Sequence, residues 1–183
     1  MTARILSMAA GLLMAGTLLT AHAAEVDYKL LPNFGVSVGE PFPLDALVDP
    51  EGKATGRDRW LGKRVLINFY TRHCAPCIKE VPKLNEVMKR RGDIHVLAIT
   101  PDSGVEAAKY AKQHGLNWPV AADAESLLFK QLKVMAFPAF ALLDDKGRLM
   151  ATVQANQLGG EDGHATVAGI ETWLDTQLAK AAN

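Results

Sequence analysis

In VLINFYTRHCAPCIKEVPKL, residues 65–84, the patterns of a strand, a cysteine pair and a helix follow one another. Residues 65–69 form a short run of β-favouring side chains, which predicts a buried strand. The residues from Cys77 onward place apolar side chains at helical spacing, which predicts a helix that ends at Gly92. The two cysteines of the chain, Cys74 and Cys77, therefore lie where the strand gives way to the helix.

Strands and helices alternate along the rest of the chain. Residues 94–100 predict a second strand, and residues 103–115 predict a helix that starts near Ser103 and stops at Gly115. Because strand, helix and strand follow in order, we expect parallel pairing. Three further elements are predicted: a helix at 125–132, an antiparallel hairpin around 145–147 and an amphipathic C-terminal helix at 167–181.

Local signals predict smaller features. Residues 49–52, Asp-Pro-Glu-Gly, indicate a turn that adds a small hairpin before the main sheet. Pro82 predicts a kink in the helix after the cysteines. Residues 156–166 are rich in glycine and polar side chains and lack phosphate-loop spacing, so we expect a flexible surface loop. The sequence predicts one α/β domain at 39–181, preceded by an extension at 24–38.

Residues 1–23 have the pattern of an export signal: Arg4, an apolar run and then the small-residue end at 21–23. The apolar run is shorter than the roughly 20 residues of a membrane span. We therefore expect cleavage after Ala23 and a periplasmic protein, with an uncleaved inner-membrane anchor as the alternative. We expect no lipoprotein anchor, because no cysteine stands directly after the run, at the mature N-terminus where such an anchor needs one.

Size and charge exclude several functions. About 160 residues remain after the signal, enough for a core that needs no cross-link, so a purely structural disulfide is disfavoured. The 20 basic and 20 acidic residues form no block of like charge, so we expect neither nucleic acid nor an anionic surface as partner.

A zinc or iron-sulfur site is disfavoured, because such a site needs about four ligands and the chain has one cysteine pair with scattered histidines. We expect no metal or organic cofactor. Two thiolates alone can hold copper(I), so a copper(I)-binding metallochaperone stays open as an alternative.

The position of the cysteine pair favours redox chemistry. Free N–H groups and the dipole at a helix start stabilise a thiolate and lower the pKa of the outer cysteine. Cys74 would then attack a disulfide, and Cys77, one turn further in, would resolve the mixed disulfide. Pro76 suits the first turn, where its missing N–H would be unpaired in any case.

With these residues in place, the segment 65–84 resembles the active-site segment of the exported TlpA-like and ResA-like thiol-disulfide oxidoreductases of the thioredoxin superfamily. The resemblance runs from about Gly39 to the C-terminal helix and is carried by Gly62, Lys63, Asn68, Phe69, Cys74, Pro76, Cys77, Glu80, Pro82, Leu84, Pro138 and residues 142–149. It implies a thioredoxin-like α/β fold: a central mixed β-sheet flanked by helices, with an N-terminal β-hairpin extension and an αβ insertion.

The resemblance also implies roles for individual residues. Phe137–Pro138 would be a cis peptide against the two sulfurs, and the backbone of Phe137 would bind an extended substrate. Glu80 would hold or take the proton of the inner thiol and tune the cysteine pKa values. The alternative for Glu80 is a solvated side chain paired with Lys79 or Lys83.

The sequence departs from the family at positions expected near the sulfurs. His73 replaces a tryptophan, Ala136 replaces a glycine, and Ala139–Phe140 replace two threonines, which bears on partner specificity. His73 would favour the thiolate if protonated, or it is an exposed and uninvolved side chain. Asn68 stands where thioredoxin has a buried aspartate, and we expect a structural role because a carboxamide transfers no proton.

These observations predict a monomeric periplasmic reductase of protein disulfides, of the cytochrome c maturation or copper-site assembly type, that takes electrons from a membrane thiol carrier. The dipeptide between the cysteines, with Pro76 as its second residue, resembles the dipeptides of reductants more than the histidine-containing dipeptides of strong oxidants. A thiol peroxidase is the more distant alternative, because Thr71 and Cys74 form a T-x-x-C motif. The proline that peroxiredoxins have four residues before the threonine is replaced by Ile67.

Overall fold

The centre of the molecule is a five-stranded mixed sheet. The computed structural model describes residues 26–159 and 163–181, so the predicted signal at 1–23 lies outside it. The strands are β1 Arg64–Phe69, β2 Ile94–Ile99, β3 Val120–Ala121, β4 Ala139–Leu143 and β5 Leu149–Gln154. Their order is β3-β2-β1-β4-β5; β1, β2 and β3 pair in parallel, and β4 is antiparallel to both β1 and β5.

Three α-helices, α1 Ala75–Arg90, α2 Gly104–His114 and α3 Val167–Ala181, confirm the predicted helices. Pro82 lies inside α1 and does not end it. The start of α2 is a capping box in which Ser103 and Glu106 each accept from the other's backbone N–H, and Gly115 ends the helix at φ 68°. None of the helices in the described ranges is long and apolar enough to cross a bilayer.

Two layers of apolar side chains cover the two faces of the sheet. Residues 65–69 are all buried, because neighbours along β1 point to opposite faces. Leu66 joins the cluster under the three helices, whereas Ile67 joins the cluster on the other face. The second cluster is closed by residues 31–60 and by residues 126–132.

The N-terminal segment, residues 26–36, packs onto this second layer from Leu31 onward, whereas Tyr28 packs against the layer under the helices. Leu31 N donates to Thr152 Oγ1 at 2.8 Å, and Gly35 N donates to Leu132 O at 3.0 Å. The side chains of Leu31, Phe34 and Val36 contact the buried cluster. This segment therefore closes the core on the side of β5.

Three predicted features differ in detail. The helix predicted at 125–132 is a π-helical segment, Ser126–Leu132. The turn at 49–52 is closed by a single bridge between Val48 and Ala54, without two full strands. The αβ insertion is present as α2 with β3, which consists of two residues.

In the residues that the structure describes, the loop predicted at 156–166 lies outside the α-helices and the sheet and is largely accessible, as expected, but it packs against the core at two positions; residues 160–162 lie outside the described residues, and the expected flexibility stays a prediction. A short 3-10 turn ends at Leu158, and Gly159 forms a bridge with Ala165. Leu158 and Ala165 are buried at 1% and 0% exposure. These two apolar side chains hold the segment against the core, which composition alone did not reveal.

Candidate active site around Cys74 and Cys77

The cysteine pair lies at the N-terminus of α1, where β1 directs the chain into the helix. Cys74 and Cys77 form a disulfide, and Cys74 is the N-cap of α1. Its sulfur accepts from Cys77 N at 3.2 Å. α1 starts at Ala75, two residues before the predicted start, and Pro76 occupies its first turn. A thiolate at Cys74 would receive the same backbone N–H and the positive end of the helix dipole.

The two sulfurs differ in accessibility. Cys74 is half-buried, whereas Cys77 is 3% exposed and belongs to the core cluster under the helices. An attacking thiol needs access to its partner, and a resolving thiol needs only to reach the first sulfur. The arrangement fits Cys74 as the attacking group and Cys77 as the resolving group.

The Phe137–Pro138 peptide is cis, as the resemblance implied. The carbonyl oxygen of Pro138 accepts two hydrogen bonds, from Gln154 Nε2 at 2.8 Å and from Ala155 N at 3.2 Å. The ring of Phe137 packs edge-on against Phe129, with centroids 6.3 Å apart. The loop that contains Phe137 and Pro138, called the proline loop below, is therefore held by β5 on one side and by the contact between Phe137 and Phe129 on the other.

A cavity of about 190 Å³ joins the two halves of the site. Residues from α1 and from the proline loop share its wall, namely Pro76, Glu80, Phe137 and Pro138. The fold thus brings together predicted site residues that stand some 60 positions apart in the sequence. His73 does not line this cavity; it lines another one, with Arg72 and Glu106.

Glu80 is buried beneath the site, at 1% exposure. Its Oε1 accepts from Ala165 N at 3.3 Å, and its buried Oε2 has no hydrogen-bond partner among the described residues. Burial raises the pKa of Glu80 to about 7, although the Ala165 N–H and the charge of Lys83 act in the opposite direction. This carboxyl can exchange a proton near neutral pH.

The solvated alternative for Glu80 is therefore wrong. Lys83 Nζ donates to the backbone oxygen of Ala165 at 2.6 Å, and Lys79 Nζ lies 3.4 Å from His164 Nε2. Both lysines contact the segment that packs over Glu80, so the carboxylate has neither solvent nor a direct lysine partner. The reason is tertiary: residues 163–166 cover this side of α1.

A polar cluster beside Cys74, made of Arg72, Thr100, Asp102 and Glu106, was not predicted from the sequence. Arg72 N donates to Asp102 Oδ2 at 2.7 Å, and the Arg72 guanidinium forms ion pairs with Asp102 at 3.5 Å and with Glu106. Thr100 Oγ1 donates to Asp102 Oδ2 at 2.7 Å. The loop before Cys74 is thereby tied to the ends of β2 and α2. The capping pattern of α2 was visible in the sequence, but nothing marked Arg72 as its partner.

His73 contacts the same cluster. Its ring is exposed, and its Nε2 accepts from Arg72 Nε at 2.9 Å. The guanidinium of Arg72 brings a positive charge to this end of the site. A role of His73 in favouring the thiolate stays a prediction.

Two further residues complete the surroundings. Gln154 gave no signal in the sequence, yet it holds the proline loop through its amide. Asn68 is 4% exposed in β1, between Leu66 and Tyr70 on the face that α1 covers. Its burial within the sheet accords with the structural role expected from the sequence, which stays a prediction.

The chain resembles known proteins over most of this fold. A model described as AhpC/TSA family matches residues 38–152. The thiol-disulfide oxidoreductase ResA of Bacillus thuringiensis subsp. konkukian is 31% identical over 126 residues, which cover 67% of this chain and 72% of that protein. ResA of Geobacillus kaustophilus is 30% identical over 149 residues, covering 75% and 84%.

A solved structure of similar shape is that of a putative thiol:disulfide interchange protein DsbE from Chlorobium tepidum. It has a TM-score of 0.63 and 21% sequence identity, and the match covers 79% of this chain and 97% of that one. Together with the strand order, this likeness confirms the thioredoxin-like fold. The chain belongs to the AhpC/TSA family, and within the thioredoxin superfamily it is a TlpA/ResA-like thiol-disulfide oxidoreductase.

Proposed function

We propose that the protein is a periplasmic reductase of protein disulfides, of the cytochrome c maturation or copper-site assembly type, recharged by a membrane thiol carrier. One observation carries the thiol-disulfide chemistry: the half-buried Cys74 and the buried Cys77 form a disulfide at the N-terminus of α1, with the buried carboxyl of Glu80 three residues further on. Pro76, between the cysteines, supports the reductase direction. The pattern of residues 1–23 supports export. The names of the ResA relatives support thiol-disulfide exchange.

The reaction uses the reduced protein. The Cys74 thiolate attacks one sulfur of a client disulfide; that S–S bond breaks, and one client sulfur leaves as a thiolate while the other is bonded to Cys74. Glu80 takes the proton of the Cys77 thiol near neutral pH. The Cys77 thiolate then attacks Cys74 Sγ, which releases the second client thiolate. The client gains two electrons, and the protein is left with the Cys74–Cys77 disulfide, the form that the structure shows.

The reduction potential of the Cys74/Cys77 pair tests the direction of electron flow. We expect a value at or below about −220 mV in dithiothreitol or glutathione buffers, because a reductase must be a stronger donor than its clients. A value near about −120 mV would make the protein an oxidant and refute the proposal.

A second experiment, the trapping of mixed disulfides, tests the exchange step. The Cys77→Ala protein should accumulate mixed disulfides with exported proteins, because the resolving thiol is missing. The Cys74→Ala protein is the matched control and should accumulate far fewer, since its remaining thiol is 3% exposed.

A further inference from the structure

A second groove lies beside the proline loop. It has a volume of about 450 Å³ and runs between residues 31–33 of the N-terminal segment and residues 133–136. Its walls are mainly apolar and include Leu31, Phe129 and Val134. Met135 stands at its rim with 76% of its surface exposed, one of the few large apolar side chains of the described residues that are this exposed.

The groove adjoins the cavity between α1 and the proline loop. Gln154 lines both the groove and the cavity that contains Pro76 and Glu80. The same amide is fixed by its hydrogen bond to Pro138 O at 2.8 Å. A client that is bonded to Cys74 and extends along the proline loop toward Gln154 would reach the edge of the groove.

We propose that this groove binds a large apolar side chain of the client, aliphatic or aromatic, a few residues from the client's reactive cysteine. The proposal rests on the proposed function and adds a substrate preference to it. The apolar walls of the groove favour such a side chain over a polar one, and the volume of the groove is in the range of about 300–1,000 Å³ typical of ligand sites. An extended client presents alternate side chains to one face, so the preference should fall on particular positions.

Rates of mixed-disulfide formation test the proposal. The probes are short Gly/Ser peptides with one cysteine linked to thionitrobenzoate and one Leu or Phe at successive positions on either side. In the Cys77→Ala protein, the Cys74 thiolate attacks the peptide sulfur and the S–S bond of the probe breaks. Thionitrobenzoate leaves as a coloured thiolate, and the peptide stays bonded to Cys74.

We expect Leu or Phe to raise the second-order rate about tenfold at one or two positions on one side of the cysteine. In a second variant, Met135→Lys, the rates of the Leu and Phe peptides should fall close to the rate of the unsubstituted peptide. Val105→Lys is the matched control, because Val105 is 81% exposed and lies on α2 beside Glu106, away from the groove. In Val105→Lys the faster reaction of the Leu and Phe peptides should be retained.

Three results would overturn the proposal. Equal rates for all positions would show that the groove has no client preference. Equal losses in Met135→Lys and Val105→Lys would show that any exposed apolar residue serves. Equal rates together with a Met135→Lys change in the sedimentation of the protein alone would assign the groove to a second copy of the chain. The assay does not depend on the direction of electron flow, so a failed reduction-potential test removes the reductase assignment without deciding this one.

Discussion

At the scale of single residues, Glu80 is the least ordinary group in the site. A carboxyl at 1% exposure with one hydrogen bond at 3.3 Å is costly to ionise, which is why its pKa lies near 7. Its place on α1, one turn after Cys77, suits it to take the proton of the inner thiol in the proposed reaction. The same burial makes the stability of the protein depend on pH.

The stability prediction follows from the sign of this shift. Between pH 4.5 and about 7 the folded protein keeps the Glu80 proton, whereas the unfolded chain has released it. The free energy of unfolding should therefore fall as the pH rises through this window, with Glu80 contributing up to ~3 kcal/mol of the fall. Glu80→Gln should remove that contribution, which urea unfolding of the oxidised protein at several pH values would measure.

The two proteins are compared at each pH, so other titrating groups cancel. The difference between Glu80→Gln and the parent should grow in favour of the variant from pH 4.5 to 8. Parallel curves would mean that Glu80 is not held protonated by the fold.

Which residues could be predicted depended on how local their signal was. Cys74, Cys77 and Pro76 share one helix turn, and the family pattern at Pro138 led to the cis peptide, which the structure confirms. The contact between Arg72 and Asp102 joins residues 30 positions apart. No periodicity or motif encodes such a pair, so it emerged only from the fold.

At the scale of elements, Asp102 joins three of them. Its carboxylate accepts from the backbone of Arg72 in the loop before α1 and from Thr100 at the end of β2, and it lies just before the cap of α2. The side chain is 10% exposed, so these bonds are shielded from water. The position of Cys74 relative to the sheet depends on this junction.

Asp102→Ala should lower the free energy of unfolding by ~2–3 kcal/mol, because two partly buried donors, Arg72 N and Thr100 Oγ1, lose their acceptor. Asp102→Asn keeps one oxygen acceptor and should lose less. Chemical denaturation of both variants gives the ranking. An Asn variant as unstable as the Ala variant would show that the charge of Asp102, through Arg72, matters more than the two hydrogen bonds.

Elements with a strong period were predicted well, and those set by tertiary contacts were not. β1 and α1 follow from a buried run and a helical spacing. The π-helical form of 126–132 has no distinct pattern in the sequence. The packing of Leu158 and Ala165 against the core is missed by a count of the glycines and polar residues in 156–166.

At the scale of the whole molecule, the N-terminal segment is part of the folded unit. Gly35 allows it to lie close to the π-helical segment, because a Cβ there would collide with the Gln131 carbonyl. Gly35→Ala should cost ~1–3 kcal/mol of stability as the backbone shifts. Gly92→Ala is the control: a Cβ at Gly92 meets nothing within 4 Å, so that variant should be within about 1 kcal/mol of the parent. Urea unfolding of both would check this, and equal effects would contradict the close approach.

At each edge of the sheet, backbone groups from earlier in the chain form hydrogen bonds at or next to the outer strand. Beyond β5, Leu149 exchanges hydrogen bonds with Gly39 and Glu40 at 2.7 and 2.9 Å. Next to β3, Ala122 N donates to Val48 O at 3.0 Å. An open sheet edge presents unpaired N–H and C=O groups to which another extended chain can add, which is a route to aggregation. The backbone at Gly39, Glu40 and Val48 occupies part of each edge, so it opposes self-association through the sheet.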